Sequence, residues 1–251
     1  MEVKKEKTYK QYGLIGKNIS YSFSKQYFSE KFKTEKLLYC NYTNFDISSI
    51  EAFPQIIKST SNLKGLNVTI PYKETIFPYL DKISSKAQRI GAVNTIKITK
   101  KGKLKGYNTD EYGFRKSLLP LLQKHHQKAL ILGTGGASKA IAYTLKKLEI
   151  PYQFVSRKTE EAYNYSSLTN KIIAEHQIII NCTPLGTYPN TENFPDIPYS
   201  AITDKHLLYD LVYNPSETVF LKKGKQQGAI TCNGLKMLEL QAEKAWKIWH
   251  K

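Results

Sequence analysis

Between Gly65 and Asp110 three short blocks carry side chains suited to handling a small polyol. They read Gly65-Leu66-Asn67-Val68-Thr69-Ile70-Pro71-Tyr72-Lys73, Gly91-Ala92-Val93-Asn94-Thr95 and Gly106-Tyr107-Asn108-Thr109-Asp110. Asn and Thr donate and accept hydrogen bonds, as ring hydroxyls require, which nominates Asn67, Thr69 and Asn94. Lys73 and Asp110 add a cation and a carboxylate, a pair able to move a proton or steady a developing charge. Any one block is also ordinary strand-and-turn material. The case for a site rests on all three together.

A second group has the chemistry of a phosphate cradle. Gly133-Thr134-Gly135-Gly136-Ala137-Ser138 follows the apolar run Ala129-Leu130-Ile131-Leu132 and opens a helical stretch. Glycines let backbone N–H groups approach a pyrophosphate at a helix N-terminus, nominating Gly133, Gly135, Gly136 and Ala137. A structural turn competes, because the third glycine position holds Ser138. About 20 residues on, where an NAD-binding chain carries a carboxylate, stand Ser156, Arg157 and Lys158. The inverted charge suits a 2′-phosphate and hence NADP. Arg157 can stack and fork onto it, and Lys158 adds a flexible point charge. Strand ends face ligands in open parallel sheets, so Thr183, Leu185 and Tyr213 join the candidates.

Ser20, Ser22 and Ser24 precede a helical pattern over Lys25 to Lys36 with Tyr27, Phe28 and Phe32 apolar. One of them is its N-cap, and hydroxyls at a helix N-terminus can also seat an anion. His125 and His126 are neighbours that share no helix face, so an exposed linker is favoured over a metal site. Cys40, Cys182 and Cys232 have neither metal spacing nor an even count, which suits a reducing cytoplasm.

Taken together, these motifs resemble shikimate dehydrogenases. That family runs Ser-x-Ser, Asn-Val-Thr-x-Pro-x-x-Lys, Gly-Ala-Val-Asn-Thr, Gly-x-Asn-Thr-Asp, a glycine-rich turn and a late Gly-x-x-x-Leu-x-x-Gln-Ala, and each block has its counterpart here in order, the last at Gly234, Leu238, Gln241 and Ala242. The resemblance implies NADPH-dependent reduction of 3-dehydroshikimate to shikimate, with Lys73 and Asp110 catalytic. It puts Ser22 and Ser24 on the substrate carboxylate, Asn67, Thr69, Asn94, Tyr213 and Gln241 around the substrate, and Gly234 with the cofactor residues. Tyr21 and Lys25 depart from the His and Pro that usually flank the serine pair.

The elements that must hold these residues follow from period and punctuation. Strands are expected at Gln11 to Gly16, Leu37 to Thr43, Gly65 to Thr69, and a hairpin around Lys100-Lys101-Gly102. Helices are expected at Ile47 to Ser59, Lys73 to Tyr79, Ile83 to Ile90 and Asp110 to Leu122, the last ending before a polar boundary at His125-His126-Gln127. Beyond it the pattern becomes βαβ, with a helix from Leu168 to Glu175 capped by Ser166 or Ser167. Gly234 to Trp249 reads as one long helix returning to the first domain and fastening the two lobes.

Length and charge bound the answer. A chain of 251 residues holds two modest domains. The net charge of +17 comes from 38 Lys+Arg against 21 Asp+Glu, yet only Arg89, Arg115 and Arg157 are arginines, so arginine forks for reading bases are largely lacking. No nucleic-acid or membrane partner is expected; the first residues lack an apolar leader segment.

The reading is an α/β protein of two domains. Residues 1–109 with 234–251 form a mixed-sheet substrate domain, and 110–233 a Rossmann-like, doubly wound NADP domain, with the active site in the cleft between them. A monomer or homodimer suits it, without metal. The rivals are a quinate/shikimate dehydrogenase of broader substrate and cofactor use, and a non-catalytic NADP- or nucleic-acid-binding module on the same fold.

Overall fold

The computed structural model describes residues 9–20, 22–157 and 162–251. The chain divides into two compact units, Met1–Thr109 with Ala242–Lys251, and Asp110–Gln241.

In the first unit the order is β1 (Lys10–Gly16), α1 (Phe23–Thr34), β2 (Cys40–Asp46), α2 (Phe53–Ser59), β3 (Leu63–Val68), β4 (Lys82–Ile83), α3 (Ser85–Ile90), β5 (Thr95–Ile98) and β6 (Leu104–Tyr107). The sheet runs β2-β1-β3-β5-β6-β4. β1 is parallel to β2 and β3, whereas β5 is antiparallel to β3 and β6, which makes the sheet mixed. Register matters for chemistry, because Asn67 pairs with Thr95 and Thr95 with Tyr107. The C-terminal ends of β3 and β6 and the start of β5 therefore meet at one end of the sheet, and each of the three Asn/Thr blocks arrives there.

Two apolar clusters hold that sheet. On one side Leu66, Val68, Val93 and Ile96 pack with Phe53 and Ile76. On the other, Tyr12, Leu14, Phe28 and Tyr42 pack with Ala242, Ala245 and Trp249. Phe28 stacks on Tyr42 with ring centroids 4.6 Å apart, a contact worth about 0.5–1.5 kcal/mol beyond the area it buries. Trp249 lies against Gly65, where a Cβ would meet its indole ring, and its Nε1 donates to the Ile96 carbonyl at 3.0 Å.

Several expected boundaries move for local reasons. β2 starts at Cys40 rather than Leu37, where its register with Lys10 begins. The expected helix from Ile47 becomes a 3-10 turn at Ile50–Ala52 followed by α2, with Pro54 in its first turn, where the missing N–H has no intrahelical partner to lose. Lys73 to Tyr79 is not an α-helix: Lys73 lies in a turn, and a 3-10 turn follows at Phe77–Tyr79 around Pro78. Short apolar runs containing Pro give no periodicity to tell these forms apart.

The second unit contains α4 (Asp110–Leu118), β7 (Ala129–Leu132), α5 (Gly136–Lys147), β8 (Tyr152–Val155), α6 (Asn170–Glu175), β9 (Ile178–Asn181), β10 (Leu207–Asp210), α7 (Val219–Gln226), β11 (Ile230–Cys232) and the start of α8 (Leu235–Trp249). All strands are parallel, in the order β11-β10-β9-β7-β8. The central strands β7, β9 and β10, buried on both faces, read as continuous apolar runs. Phe114, Ile131, Ile141, Tyr209 and Met237 lie in one core, and Leu130, Val155, Ile179, Leu208 and Phe220 in the other.

α4 stops at Leu118, short of the expected Leu122, and passes into a 3-10 turn containing Pro120. Thr169, rather than Ser166 or Ser167, caps α6, its hydroxyl accepting from the Ile172 N–H at 3.3 Å. His126 is buried rather than part of an exposed linker, and its Nδ1 accepts from the Gln123 N–H at 3.0 Å; burial lowers its pKa. The expected break at Gly234 lies instead within α8. Met237 packs in the second unit's core, whereas Ala242 and Ala245 pack in the first unit's. Among the described residues no helix is long and apolar enough to cross a membrane.

Candidate active site

At the end of the first unit's sheet, Asn94 is the organising residue. Its Oδ1 accepts from the Thr109 N–H at 2.7 Å, the Thr95 hydroxyl at 3.0 Å and the Thr109 hydroxyl at 3.1 Å. Its backbone binds both neighbours, accepting from the Val68 N–H at 2.9 Å and donating to the Tyr107 carbonyl at 3.1 Å. Asn108 adds a bond from Nδ2 to the Ala92 carbonyl at 3.0 Å. Asn94, Thr95, Asn108 and Thr109 are all buried, and pairing them avoids the penalty of roughly 1–3 kcal/mol for each orphaned polar group. The second and third blocks are thus one hydrogen-bonded unit. Thr95 and Thr109, which the sequence reading left without a role, are internal partners of Asn94, and their repeated position after Asn was the available signal.

Asn67 joins the same unit. Its Oδ1 accepts from the buried Tyr42 hydroxyl at 2.9 Å, and its Nδ2 donates to the Asn94 carbonyl at 3.3 Å. The Tyr42 phenol also receives a hydrogen bond from Ser24, although burial dominates and holds its pKa well above the usual value. Tyr42 was missed because a tyrosine in a half-buried strand is ordinary, and its partners lie far away in sequence. Ser22 is the N-cap of α1, its hydroxyl accepting from the Ser24 N–H at 3.3 Å. Ser24 occupies the second position of that helix, so both hydroxyls sit where the helix dipole favours an anion. Tyr21 lies outside the described residues.

Thr69 and Lys73 follow β3, and both are half-buried. The Thr69 carbonyl accepts from the Tyr72 N–H at 2.9 Å, and the Lys73 carbonyl from the Val93 N–H at 2.8 Å. The turn that bears the lysine is thereby tied to the segment leading into Asn94. Asp110, in the second unit, is buried and opens α4 directly after Thr109.

The second unit brings a different group together at the carboxyl ends of its strands. β7 lies between β8 and β9, so the strand order reverses there, the place where open α/β sheets bind ligands. Gly133 leaves β7 with φ +103°, a conformation that disfavours other residues, and a Cβ on it would lie 3.1 Å from the Thr183 Cγ2 beyond β9. Gly135 is the N-cap of α5 and supplies no side-chain bond to the first turn, where Gly136 and Ala137 follow. A Cβ on Gly135 would meet nothing within 4 Å. Open space beside uncapped N–H groups at a 12-residue helix is the environment a pyrophosphate needs, so these residues fit a dinucleotide.

Ser156 is buried beyond β8 and its N–H donates to the Tyr163 carbonyl at 2.8 Å. Arg157 is exposed, and its charge acts on the Tyr165 phenol. Lys158 lies outside the described residues. Thr183 and Leu185 form the turn after β9. Asn181 Oδ1 accepts from the Thr183 hydroxyl at 2.6 Å, and the Leu185 N–H donates to Thr183 at 3.3 Å. Tyr213 is half-buried after β10. Gly234 donates from its N–H to the Val212 carbonyl at 3.0 Å, and a Cβ there would collide with the Leu211 carbonyl. Gln241 is buried on α8 against Gly113 of α4, where a Cβ would lie 3.1 Å from the Gln241 Cβ.

Known proteins resemble this chain in sequence and in fold. The family model for the shikimate dehydrogenase substrate binding domain matches residues 14–96. A shikimate dehydrogenase (NADP(+)) of Methanosphaera stadtmanae is 39% identical, over 94% of this chain and 90% of that protein. One of Clostridium botulinum is 40% identical, over 94% and 95% respectively. The crystal structure of shikimate 5-dehydrogenase from Thermus thermophilus, in complex with NADP(H) and shikimate, superposes with a TM-score of 0.84 at 29% identity, covering 96% of this chain and 92% of that one. With identity of this order spanning both units, the chain belongs to the shikimate dehydrogenase family.

Proposed function

We propose that this protein interconverts 3-dehydroshikimate and shikimate with NADP(H), drawing most of its substrate contacts from the first unit and its cofactor contacts from the second. The observation that carries this is the buried Asn94 unit. It fixes the third block and, through the Val93–Lys73 backbone bond, the turn bearing the lysine. Such a rigid wall of amides and hydroxyls orients a polyol, and position is worth far more to a reaction than contact alone.

Ser22 and Ser24 hold the substrate carboxylate at the start of α1, while Thr69, Tyr213 and Gln241 contact the ring. Asn67 and Asn94 shape that wall. When bound, NADPH supplies the hydride to the ketone carbon. Lys73 stands by the oxygen on which negative charge appears and delivers the proton that completes the alcohol, with Asp110 as its partner carboxylate. An ammonium aimed at that oxygen lowers the barrier as charge develops. Gly135, Gly136 and Ala137, with Gly133 and Thr183 beside them, would hold the pyrophosphate. Arg157 and Lys158 meet the 2′-phosphate, and Leu185 and Gly234 border the cofactor. The test is Lys73→Ala. Its kcat should fall about 10²–10⁴-fold with KM for shikimate little changed, since the loss belongs to the transition state. A variant that kept near-normal kcat would overturn the assignment.

A further inference from the structure

We propose that Asp210, buried at the end of β10, is a positioning residue that builds the cofactor side of the second unit. Its carboxylate is fully buried yet contacts no cation among the described residues. Instead, three donors converge on it. Oδ1 accepts from the Asn181 Nδ2 at 3.0 Å and from the Val212 N–H at 3.0 Å, and Oδ2 accepts from the Thr218 hydroxyl at 2.6 Å. Each donor starts a different feature. Asn181, held by Asp210, uses its own Oδ1 to fix the Thr183 N–H at 3.0 Å and the Thr183 hydroxyl at 2.6 Å. Thr183 in turn lies beside Gly133 of the glycine turn, where an added Cβ would come within 3.1 Å of its Cγ2. Val212 leads into Tyr213, and Thr218 caps α7, accepting from the Leu221 N–H at 3.4 Å.

A buried carboxylate without a cation is costly to keep ionised, and a neutral core would be the cheaper structural solution. What the charge supplies is acceptor capacity for three donors at once, which an apolar residue cannot give. The loops after β9 and β10 are therefore set from beneath by one residue that need not touch the cofactor. The inference rests on the reading that Thr183 and the glycine turn face NADP(H), and its test uses direct binding so that the two can fail separately.

The experiment titrates NADPH by its own fluorescence into wild type, Asp210→Ala, Asp210→Asn and Asn181→Ala, alongside thermal unfolding and KM for shikimate. Asp210→Ala orphans all three donors and should weaken NADPH binding about tenfold to a hundredfold, the scale of a small misplacement transmitted to a site. Asn181→Ala should do the same while sparing the Thr218 cap. Asp210→Asn keeps a carbonyl oxygen for Asn181 and Val212 and should recover most of the lost affinity. In Asn181→Ala, which leaves the Val212 bond ahead of Tyr213 in place, KM for shikimate should stay near wild type. If Asp210→Ala does not fold, Asn181→Ala decides. Unchanged NADPH affinity in a folded Asp210→Ala or Asn181→Ala overturns the proposal, as does Asp210→Asn being as impaired as Asp210→Ala, or a parallel loss for shikimate in Asn181→Ala. Wild type that binds NADPH but does not oxidise shikimate would instead sink the substrate assignment and leave this one standing.

Discussion

Asn94 in the first unit and Asp210 in the second each accept three hydrogen bonds on a buried side chain, but one is a neutral amide and the other a carboxylate. Around Asn94 the partners are Asn and Thr, so the wall is made of side chains whose chemistry matches a polyol. Around Asp210 the carboxylate holds turns in place beside a glycine turn that presents mostly backbone. A substrate rich in hydroxyls is read by side-chain donors and acceptors. A phosphate is held by N–H groups, for which the residue type matters only by staying small. The neutral hub can serve at any ordinary pH, whereas the charged one carries a desolvation cost that depends on pH.

The largest effect expected from breaking the substrate side is at Asp110. Asp110→Asn should lower kcat by about 10²–10⁴-fold. Combined with Lys73→Ala it should cost less than the product of the two, because paired groups act as a unit. Independent, multiplying losses would show that the two residues do separate work. Steady-state kinetics of the three variants decides it.

Sharpening the contrast between the hubs calls for acid. Burial pushes the Asp210 pKa from 3.8 up to about 6, with the Thr218, Val212 and Asn181 bonds opposing it. Since the native value lies above the unfolded one, the group's contribution to stability is fully present below about pH 4 and is lost as pH rises through about 6. At about 1.4 kcal/mol per unit this amounts to roughly 3 kcal/mol. In urea unfolding, the difference between wild type and Asp210→Asn should therefore move in favour of wild type by up to that amount between pH 7 and about pH 4. A pH-independent difference would contradict the account of that hub. Asn94→Ala should show no such pH term relative to wild type.

Cofactor choice comes next in size. If Arg157 forks onto the 2′-phosphate, Arg157→Ala should reduce the preference for NADPH over NADH by about 1.5–3 kcal/mol, or roughly ten- to a hundredfold in kcat/KM. A preference that does not shrink would leave the arginine as one more solvated cation. The smallest effect belongs to the serine pair. Ser24→Ala or Ser22→Ala should raise KM for shikimate by one charge-assisted bond, about 1.5–3 kcal/mol at most, and leave NADPH binding alone. For Ser22 a lowered melting temperature with unchanged KM would reduce it to the cap that its bond to the Ser24 N–H already makes it.

Much of this contrast was legible in the chain, and what was hidden has a common cause. Glycine turns, caps and apolar runs act over a few residues, so the turn from Gly133 to Ala137 and the strand Ala129–Leu132 before it could be read directly. The Asn/Thr blocks were visible as candidates, but not their bonds to one another and to Tyr42, because Asn67 finds Tyr42 and Asn94 finds Thr109 only after the sheet forms. Asp210 gives no local signal, because its partners Asn181 and Thr218 sit on other elements. Thr169 and the two serines before it were locally equivalent caps, and the helix start chose among them. The division within α8 escaped for a similar reason, since one apolar stripe serves both Met237 and Trp249 in different cores.

The central claim, a polyol site and a 2′-phosphate site on one chain, is tested most directly by wild-type protein given four pairings, shikimate or quinate with NADP+ or NAD+, while reduced nicotinamide is followed optically. The account predicts rapid reduction of NADP+ by shikimate, with quinate and NAD+ each poorer by about tenfold or more. Quinate serving as well as shikimate, or NAD+ as well as NADP+, would point to a broader dehydrogenase; no reduction in any pairing by a folded protein that binds NADPH would contradict the assignment of the Asn94 wall to a reacting polyol.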